Sequence, residues 1–113
     1  MHELSISESI TDLVMESARR ESIGRVSRVV VEIGVAAAVD PQALLFCFPV
    51  SAADTIAAGA ELVINMTALQ MRCEGCGKEY APEIQVSSCP ICGSFASQIL
   101  AGREMRVVSF EGE

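Results

Sequence analysis

Four cysteines constrain this chain more than any other feature. They form two C-x-x-C pairs, Cys73-Glu-Gly-Cys76 and Cys89-Pro-Ile-Cys92, with twelve residues between them. Each pair can bend its two thiolates onto one side of a tight turn. Gly75, Gly77, Pro90 and Gly93 supply the backbone freedom and the stiffening that such knuckles use. Two knuckles facing each other make a closed tetrahedral set of four thiolates, the usual structural zinc site. The segment is too short and too rich in Gly and Pro to build a core without a metal. Two readings compete with zinc: a pair of disulfides, or a thioredoxin-like redox pair. Disulfides fit poorly with a chain whose start lacks the basic stretch and long apolar segment of a secretory signal. A redox pair would call for one C-x-x-C beside a βαβ unit, not two facing pairs. Four thiolates leave no open position for water, so a zinc held this way is structural and not catalytic. The fifth cysteine, Cys47, lies between Phe46 and Phe48 and reads as a buried, inert thiol.

Composition narrows the function classes. At 113 residues the chain suits one compact domain with a small metal-stapled lobe. Half of it is hydrophobic, enough for a core, although only 4% is aromatic and there is no Trp. The apolar runs are too short to span a bilayer, so no membrane insertion is expected. The formal charge is −7, from 15 acids against 8 bases, and four thiolates on one zinc would make it more negative. Such a chain is a poor binder of phosphate backbones, which argues against a nucleic-acid clamp. A small metalloenzyme finds no support either. With one histidine and no paired acid and base or activated nucleophile, the expectation is a non-enzyme in a reducing cytoplasm.

Periodicity sets the frame around the cysteines. Ser5 and Glu8 have capping-box spacing, and Ile6, Ile10, Leu13, Val14 and Ala18 recur at helical intervals up to a stop at Gly24. The first helix is therefore expected from Ser5 or Ile6 to Ser22. From Arg25 to Ile33 the pattern is a strand with Val29, Val31 and Ile33 on one face. Asp40-Pro41 reads as N-cap and first position of a second helix, with Leu44, Leu45 and Phe48 buried and an early end or kink at Pro49. Asp54 and Gly59 bracket the next turn. Glu61 to about Gln70 reads as a second strand, with Leu62, Ile64 and Met66 on one face, and Met105 to Glu111 as a third. This predicts an α+β fold: two helices packed on a three-stranded sheet, with a zinc-ribbon-like four-cysteine lobe inserted between the second and third strands. The corresponding domains are 1–70 plus 99–113, and 71–98.

The start of the chain, Met1-His2-Glu3, carries a second metal signal. The Met1 amine, the His2 amide nitrogen and the ring of His2, the only histidine, could close two fused chelate rings in a plane. A planar nitrogen-rich set suits Ni(II) or Cu(II) and not zinc or magnesium. The bland alternative is a frayed terminus, as most first residues are.

With these pieces in order, the chain resembles the HypA/HybF family of hydrogenase nickel-incorporation proteins over nearly its whole length. The resemblance rests on Met1-His2-Glu3-Leu4-Ser5, Val31-Glu32-Ile33-Gly34, Val39-Asp40-Pro41-Gln42-Ala43-Leu44, Gly59-Ala60-Glu61-Leu62, the two knuckles and the ending Ser109-Phe110-Glu111. It implies a nickel metallochaperone for [NiFe]-hydrogenase maturation, with transported Ni(II) at a free N-terminus and structural Zn(II) on Cys73, Cys76, Cys89 and Cys92. His2 would be the essential nickel ligand, helped by the Met1 amine and the backbone of His2 and Glu3. The Glu3 side chain and Asp40 are candidate further contacts, though Asp40 could be a helix cap alone and Glu3 a solvated acid. Implied partners are the nickel-handling GTPase HypB and the hydrogenase large-subunit precursor, and some relatives also support urease. The chain departs from the family at Val35-Ala36-Ala37-Ala38, where a more polar turn is usual, and at Pro49. Exposed strand edges and the apolar turn from Val35 to Val39 would suit a homodimer or partner docking. The alternative function is a zinc-ribbon adaptor that binds other proteins without moving nickel.

Overall fold

The computed structural model describes residues 2–83 and 88–113. Its elements run α1 (His2–Arg20), β1 (Val26–Gly34), a 3-10 turn (Val35–Ala37), α2 (Pro41–Ala52), β2 (Glu61–Thr67), β3 (Gln70–Cys73), β4 (Glu79–Tyr80), β5 (Ser97–Ala101) and β6 (Met105–Gly112). The strands make two three-stranded sheets, ordered β2-β1-β6 and β4-β3-β5. The predicted α+β architecture is therefore present, with the cysteine lobe inserted between β2 and β6. The second sheet, inside that lobe, was not expected. The chain divides into two compact units. The first comprises Met1–Glu32, Val39–Asn65 and Arg106–Glu113; the second comprises Ile33–Ala38 and Met66–Met105. The 71–98 segment lies in the second unit, together with residues on either side of it.

In the first unit, α1 and α2 pack on each other. Ile10, Val14 and Ala18 of α1, Leu44, Phe48 and Ala52 of α2, and Val26, Val29 and Val31 of β1 are all buried. The buried stripe of α1 differs from the predicted one. Ser7 and Thr11 are buried, Ile6 is half-buried and Leu13 is exposed. The two hydroxyls tolerate burial because each meets Ser51 of α2, at 2.5 Å from Ser7 Oγ and 3.1 Å from Thr11 Oγ1. Thr11 also donates to the Ser7 carbonyl. A hydrogen-bonded polar pair thus occupies part of the helix–helix seam that hydrophobic spacing alone assigns to Ile6 and Leu13.

Both ends of α1 shift from expectation. The helix starts at His2, a turn before Ser5, so Ser5 is exposed within the first turn and is not its cap. Leu4 and Ser7 continue the inward-facing stripe at helical spacing, and an exposed first turn can leave its amides to water. The stop comes from Ser22, not Gly24. Ser22 takes φ 57°, its amide donates to the Arg19 carbonyl, and the Ile23 amide donates back to Ala18 at 2.8 Å. These two bonds are a Schellman closure with a serine in the left-handed position.

Helix α2 runs three residues beyond Pro49, so the expected early end does not occur. Pro49 lies on the exposed side, where water can reach the Leu45 carbonyl that the missing N–H would have served. Leu45, expected inside, is 39% exposed, and Cys47 takes the buried position beside Leu44 and Phe48. Asp54 and Gly59 both adopt positive φ, as their place at a turn requires. Ion pairs Arg28–Glu61, Arg28–Glu111 and Arg106–Glu32 tie the three strands at their exposed positions.

In the second unit, two glycines meet at close quarters. A Cβ on Gly34 would lie 2.0 Å from the Gly102 carbonyl, and one on Gly102, at φ 110°, would lie 2.7 Å from Leu69 Cα. The Ala36 amide bonds the Gly102 carbonyl at 2.7 Å. The chain crosses at Ala68-Leu69, so the strand expected to reach Gln70 ends at Thr67 and a new one begins at Gln70. The Thr67 hydroxyl donates to the Glu104 carboxylate, whose Oε1 accepts the Gly102 amide at 2.7 Å. The Thr67 hydroxyl first, and the Gly102 amide second, hold the Glu104 carboxyl below the usual range against the effect of burial. Strand β3 pairs antiparallel with β4 (Met71 opposite Tyr80) and with β5 (Cys73 opposite Ser97). A 2.7 Å bond between the Tyr80 and Ser97 hydroxyls closes the sheet.

Candidate metal centres

The two knuckles are built to the same plan. Cys73 and Cys89 each accept at their carbonyl, at 2.9 Å, the amide of the glycine four residues on, Gly77 or Gly93. Those glycines have φ 77° and 78°, a left-handed turn that non-glycine residues adopt only with strain. The Cys73 amide binds the Lys78 carbonyl and the Cys89 amide the Ser94 carbonyl, both at 2.8 Å. The result brings all four Sγ atoms within 4.8 Å of one another. Cys73 Sγ lies 3.4 Å from Cys92 Sγ, and Cys76 Sγ 3.7 Å from Cys89 Sγ. A tetrahedron of thiolates around zinc, with Zn–S near 2.3 Å, has edges of about 3.8 Å. The close pairs join the two knuckles to each other, as a shared ion requires.

The electrostatics of the cluster favour thiolates unevenly. The Cys76 amide first, then the Cys92 thiol, draw Cys73 down to about 6 against the opposing effect of burial. Cys89 is drawn down chiefly by the Cys92 amide. Cys92 is pulled down by the Ser94 amide, yet Cys73, burial and the other two thiols together push it up to about 11. Four adjoining sulfurs cannot all ionise at low cost without a cation among them, and a divalent ion is the group that would let them. Cys73 and Cys89 are buried, while Cys76 and Cys92 are exposed. Cys47 takes no part in the cluster and is buried within α2.

At the other candidate centre, Met1 lies outside the described residues, so the terminal amine does too. His2 opens α1 with its side chain 58% exposed, and its Nε2 lies 3.0 Å from Glu3 Oε2. A carboxylate only accepts, so its approach favours a proton on Nε2, and a neutral ring protonated there has its lone pair on Nδ1. The same Glu3 oxygen accepts the Asp40 amide at 3.2 Å. Asp40 is the N-cap of α2, its Oδ1 accepting the amides of Gln42 at 3.0 Å and Ala43 at 3.4 Å. The structure therefore brings His2, Glu3 and Asp40 together, but the link to Asp40 runs through its backbone amide while its carboxylate caps the helix. Sequence reasoning overlooked this arrangement, in which one carboxylate joins the start of α1 to the start of α2. The signal was a Glu directly after the histidine and a helix start at Asp40-Pro41. Among the described residues, no helix is long and apolar enough to cross a membrane.

Residues 1–112 match the family described as "Hydrogenase/urease nickel incorporation, metallochaperone, hypA". The chain is 42% identical over 109 residues to a hydrogenase maturation factor HypA of Chlorobium limicola, covering 96% of this chain and 94% of that one. It is 40% identical over 113 residues to a hydrogenase maturation factor HybF of Klebsiella pneumoniae, with both chains covered completely. Its structure is similar to the solution structure of the Ni metallochaperone HypA from Helicobacter pylori, with a TM-score of 0.70 at 27% identity over 97% of this chain and 96% of that one. A second HypA solution structure matches with a TM-score of 0.74 at 29% identity, covering 100% of this chain and 97% of the other.

Proposed function

The chain belongs to the HypA family, the nickel metallochaperones of hydrogenase maturation, and on that premise we propose that it carries Ni(II) at its N-terminus to the large-subunit precursor of a [NiFe]-hydrogenase. The ligands in this reading are the Met1 amine, the His2 amide nitrogen and His2 Nδ1. A six-membered ring through the His2 amide, Cα, Cβ and Cγ closes only on Nδ1. The observation that carries the reading is the 3.0 Å approach of His2 Nε2 to Glu3 Oε2. A carboxylate beside Nε2 favours the tautomer whose lone pair is on Nδ1, the atom the chelate needs, and orients the ring. Glu3 then acts as a positioning residue, and Asp40 as the cap whose amide anchors Glu3 in turn.

The four-cysteine cluster takes the complementary role, holding structural zinc on Cys73, Cys76, Cys89 and Cys92. Its ligand set is closed, so this ion would be resident and not cargo. Nickel capture at the terminus deprotonates an amide and occupies an imidazole and an amine, so it releases protons and weakens as pH falls. Release follows when the amide regains its proton or a partner offers better ligands. HypB, the nickel-handling GTPase, is the donor or co-worker in this scheme. The acidic balance fits protein partners better than nucleic acid.

The test is a calorimetric nickel titration of zinc-loaded protein, native beside a form with one glycine before Met1. The extra residue keeps every side chain and moves the amine out of the chelate. Affinity should collapse in the extended form and in His2→Ala, with the helical signal unchanged. Equal affinity in native and extended protein would refute the terminal chelate.

A further inference from the structure

Outside both metal centres, the first unit carries a groove of about 420 Å³ between α1 and α2. Its walls are Leu4 and Met15 of α1 and Val50 of α2, its floor is the part-buried Thr11–Ser51 hydroxyl pair beside Thr55, and its charged rim is Glu8 and Asp12. Val50 is 64% exposed, and Phe46, one helical turn earlier on the same face, is 80% exposed. A helix that is apolar on every side normally sits inside a core, yet α2 leaves Phe46 and Val50 in water. Beside this apolar ridge, Glu8 and Asp12 stand at i and i+4 on α1, both exposed. Among the described residues neither carboxylate has a hydrogen-bond or ion-pair partner. Like charges at that spacing repel and destabilise a helix. No basic residue lines the groove.

An apolar trough with an all-acidic rim has a defined complement. From these observations we infer that the groove docks a cationic amphipathic helix of a nickel-exchanging partner, with aliphatic side chains on Leu4, Met15 and Val50 and Lys or Arg against Glu8 and Asp12. From Leu4 to Met15 the wall runs about 16 Å along the helix axis, room for three turns of partner helix laid in the helix-in-groove mode. The opposite charges would steer the encounter and fix the register, while the apolar contacts would hold the complex. Docking there sets the partner against Leu4, two residues from His2, so that metal can pass without leaving the pair for bulk water. In that respect the inference rests on the metallochaperone reading above.

The experiment uses the whole chain, isotope-labelled, titrated with a capped fifteen-residue helical peptide that has leucines on one face and lysines flanking them. Its twin carries glutamate for every lysine, and a scrambled peptide keeps the lysines without the apolar face. The lysine peptide should shift the amides of residues 4–15 and 50–55 and leave the second unit unchanged. The double variant Glu8→Lys/Asp12→Lys should lose at least ten-fold in affinity for it and gain affinity for the glutamate twin. Val50→Ser should weaken both matched pairs. Nickel affinity, read by calorimetry, should be the same in all variants, so that failure of the groove and failure of the terminal chelate are seen separately. Equal binding of the scrambled peptide, shifts spread over other acidic surfaces, or insensitivity to charge reversal would each overturn the inference. So would concentration-dependent self-association of the free chain abolished by Val50→Ser, which would make a second copy the occupant.

Discussion

A single carboxylate oxygen of Glu3 lies 3.0 Å from the His2 ring and accepts the Asp40 amide, and the consequence can be tested at that residue. If Glu3 positions the imidazole without ligating, Glu3→Ala should lower nickel affinity by roughly ten- to a hundred-fold, the usual cost of removing the hydrogen-bond partner of a metal-bound histidine. Glu3→Gln keeps an acceptor and should recover part of that loss. Calorimetric titration of the three forms decides the matter, and a loss as complete as that of His2→Ala would make Glu3 a ligand. Residue-scale legibility divides along sequence distance. The Asp40-Pro41 cap was readable because a cap and its amides lie within three residues. The Glu3–Asp40 bond spans thirty-seven, and local pattern carries no information about which helix starts meet. The Ser7 and Thr11 hydroxyls went unnoticed for the same reason, since what allows their burial is Ser51 on another helix.

At the scale of elements, periodicity located both helices and the three long strands but set several ends wrongly. Helix α1 was expected to halt at Gly24, yet the left-handed residue is Ser22 at φ 57°. A non-glycine there costs about 1–2 kcal/mol, partly offset by the greater unfolded-state freedom of glycine. Ser22→Gly should therefore stabilise the first unit by about 0.5–1 kcal/mol, measured as a higher denaturant midpoint at unchanged slope. An unaltered midpoint would mean that the turn relaxes in solution. The second sheet escaped notice because β3, β4 and β5 have four, two and five residues, too few for alternation to stand out. Glu104 ties the end of β2 to the turn before β6, and no pattern near it suggests an ionised clasp. Its carboxyl is held below the ordinary glutamate range, so the folded state gains from the ionised form. That contribution is complete above the ordinary range and disappears as pH falls through the depressed folded value. Glu104→Gln should thus lower stability at neutral pH and flatten the acid limb of the stability profile. A wild-type slope in the variant, in chemical denaturation at stepped pH, would remove Glu104 from the account.

At the scale of the whole molecule, the two units hold themselves together by different means. The first buries apolar side chains from α1, α2 and β1, an apolar core of ordinary kind. Among the described residues the second buries few large apolar side chains, chiefly Ile33, Leu69 and Met71, and two of its other buried residues are Cys73 and Cys89. Stripped of metal, those thiols lose the ion that lets them ionise side by side, and so small a core has little to replace it. Chelation at neutral pH should therefore unfold the second unit and leave α1 and α2 in place. The sequence supplies the probe: Tyr80 is the only tyrosine and there is no tryptophan, so intrinsic fluorescence reports the second unit alone, while helical circular dichroism comes from α1 and α2. Adding a strong chelator should change the tyrosine signal with the helical signal retained, and zinc should restore it. Acidification should reproduce the effect, because protons compete with metal for thiolates. Simultaneous loss of both signals would mean that the first unit depends on the metal as well. A tyrosine signal indifferent to chelation would mean that the knuckles stand on their backbone hydrogen bonds alone, and the structural role of the ion would have to be given up.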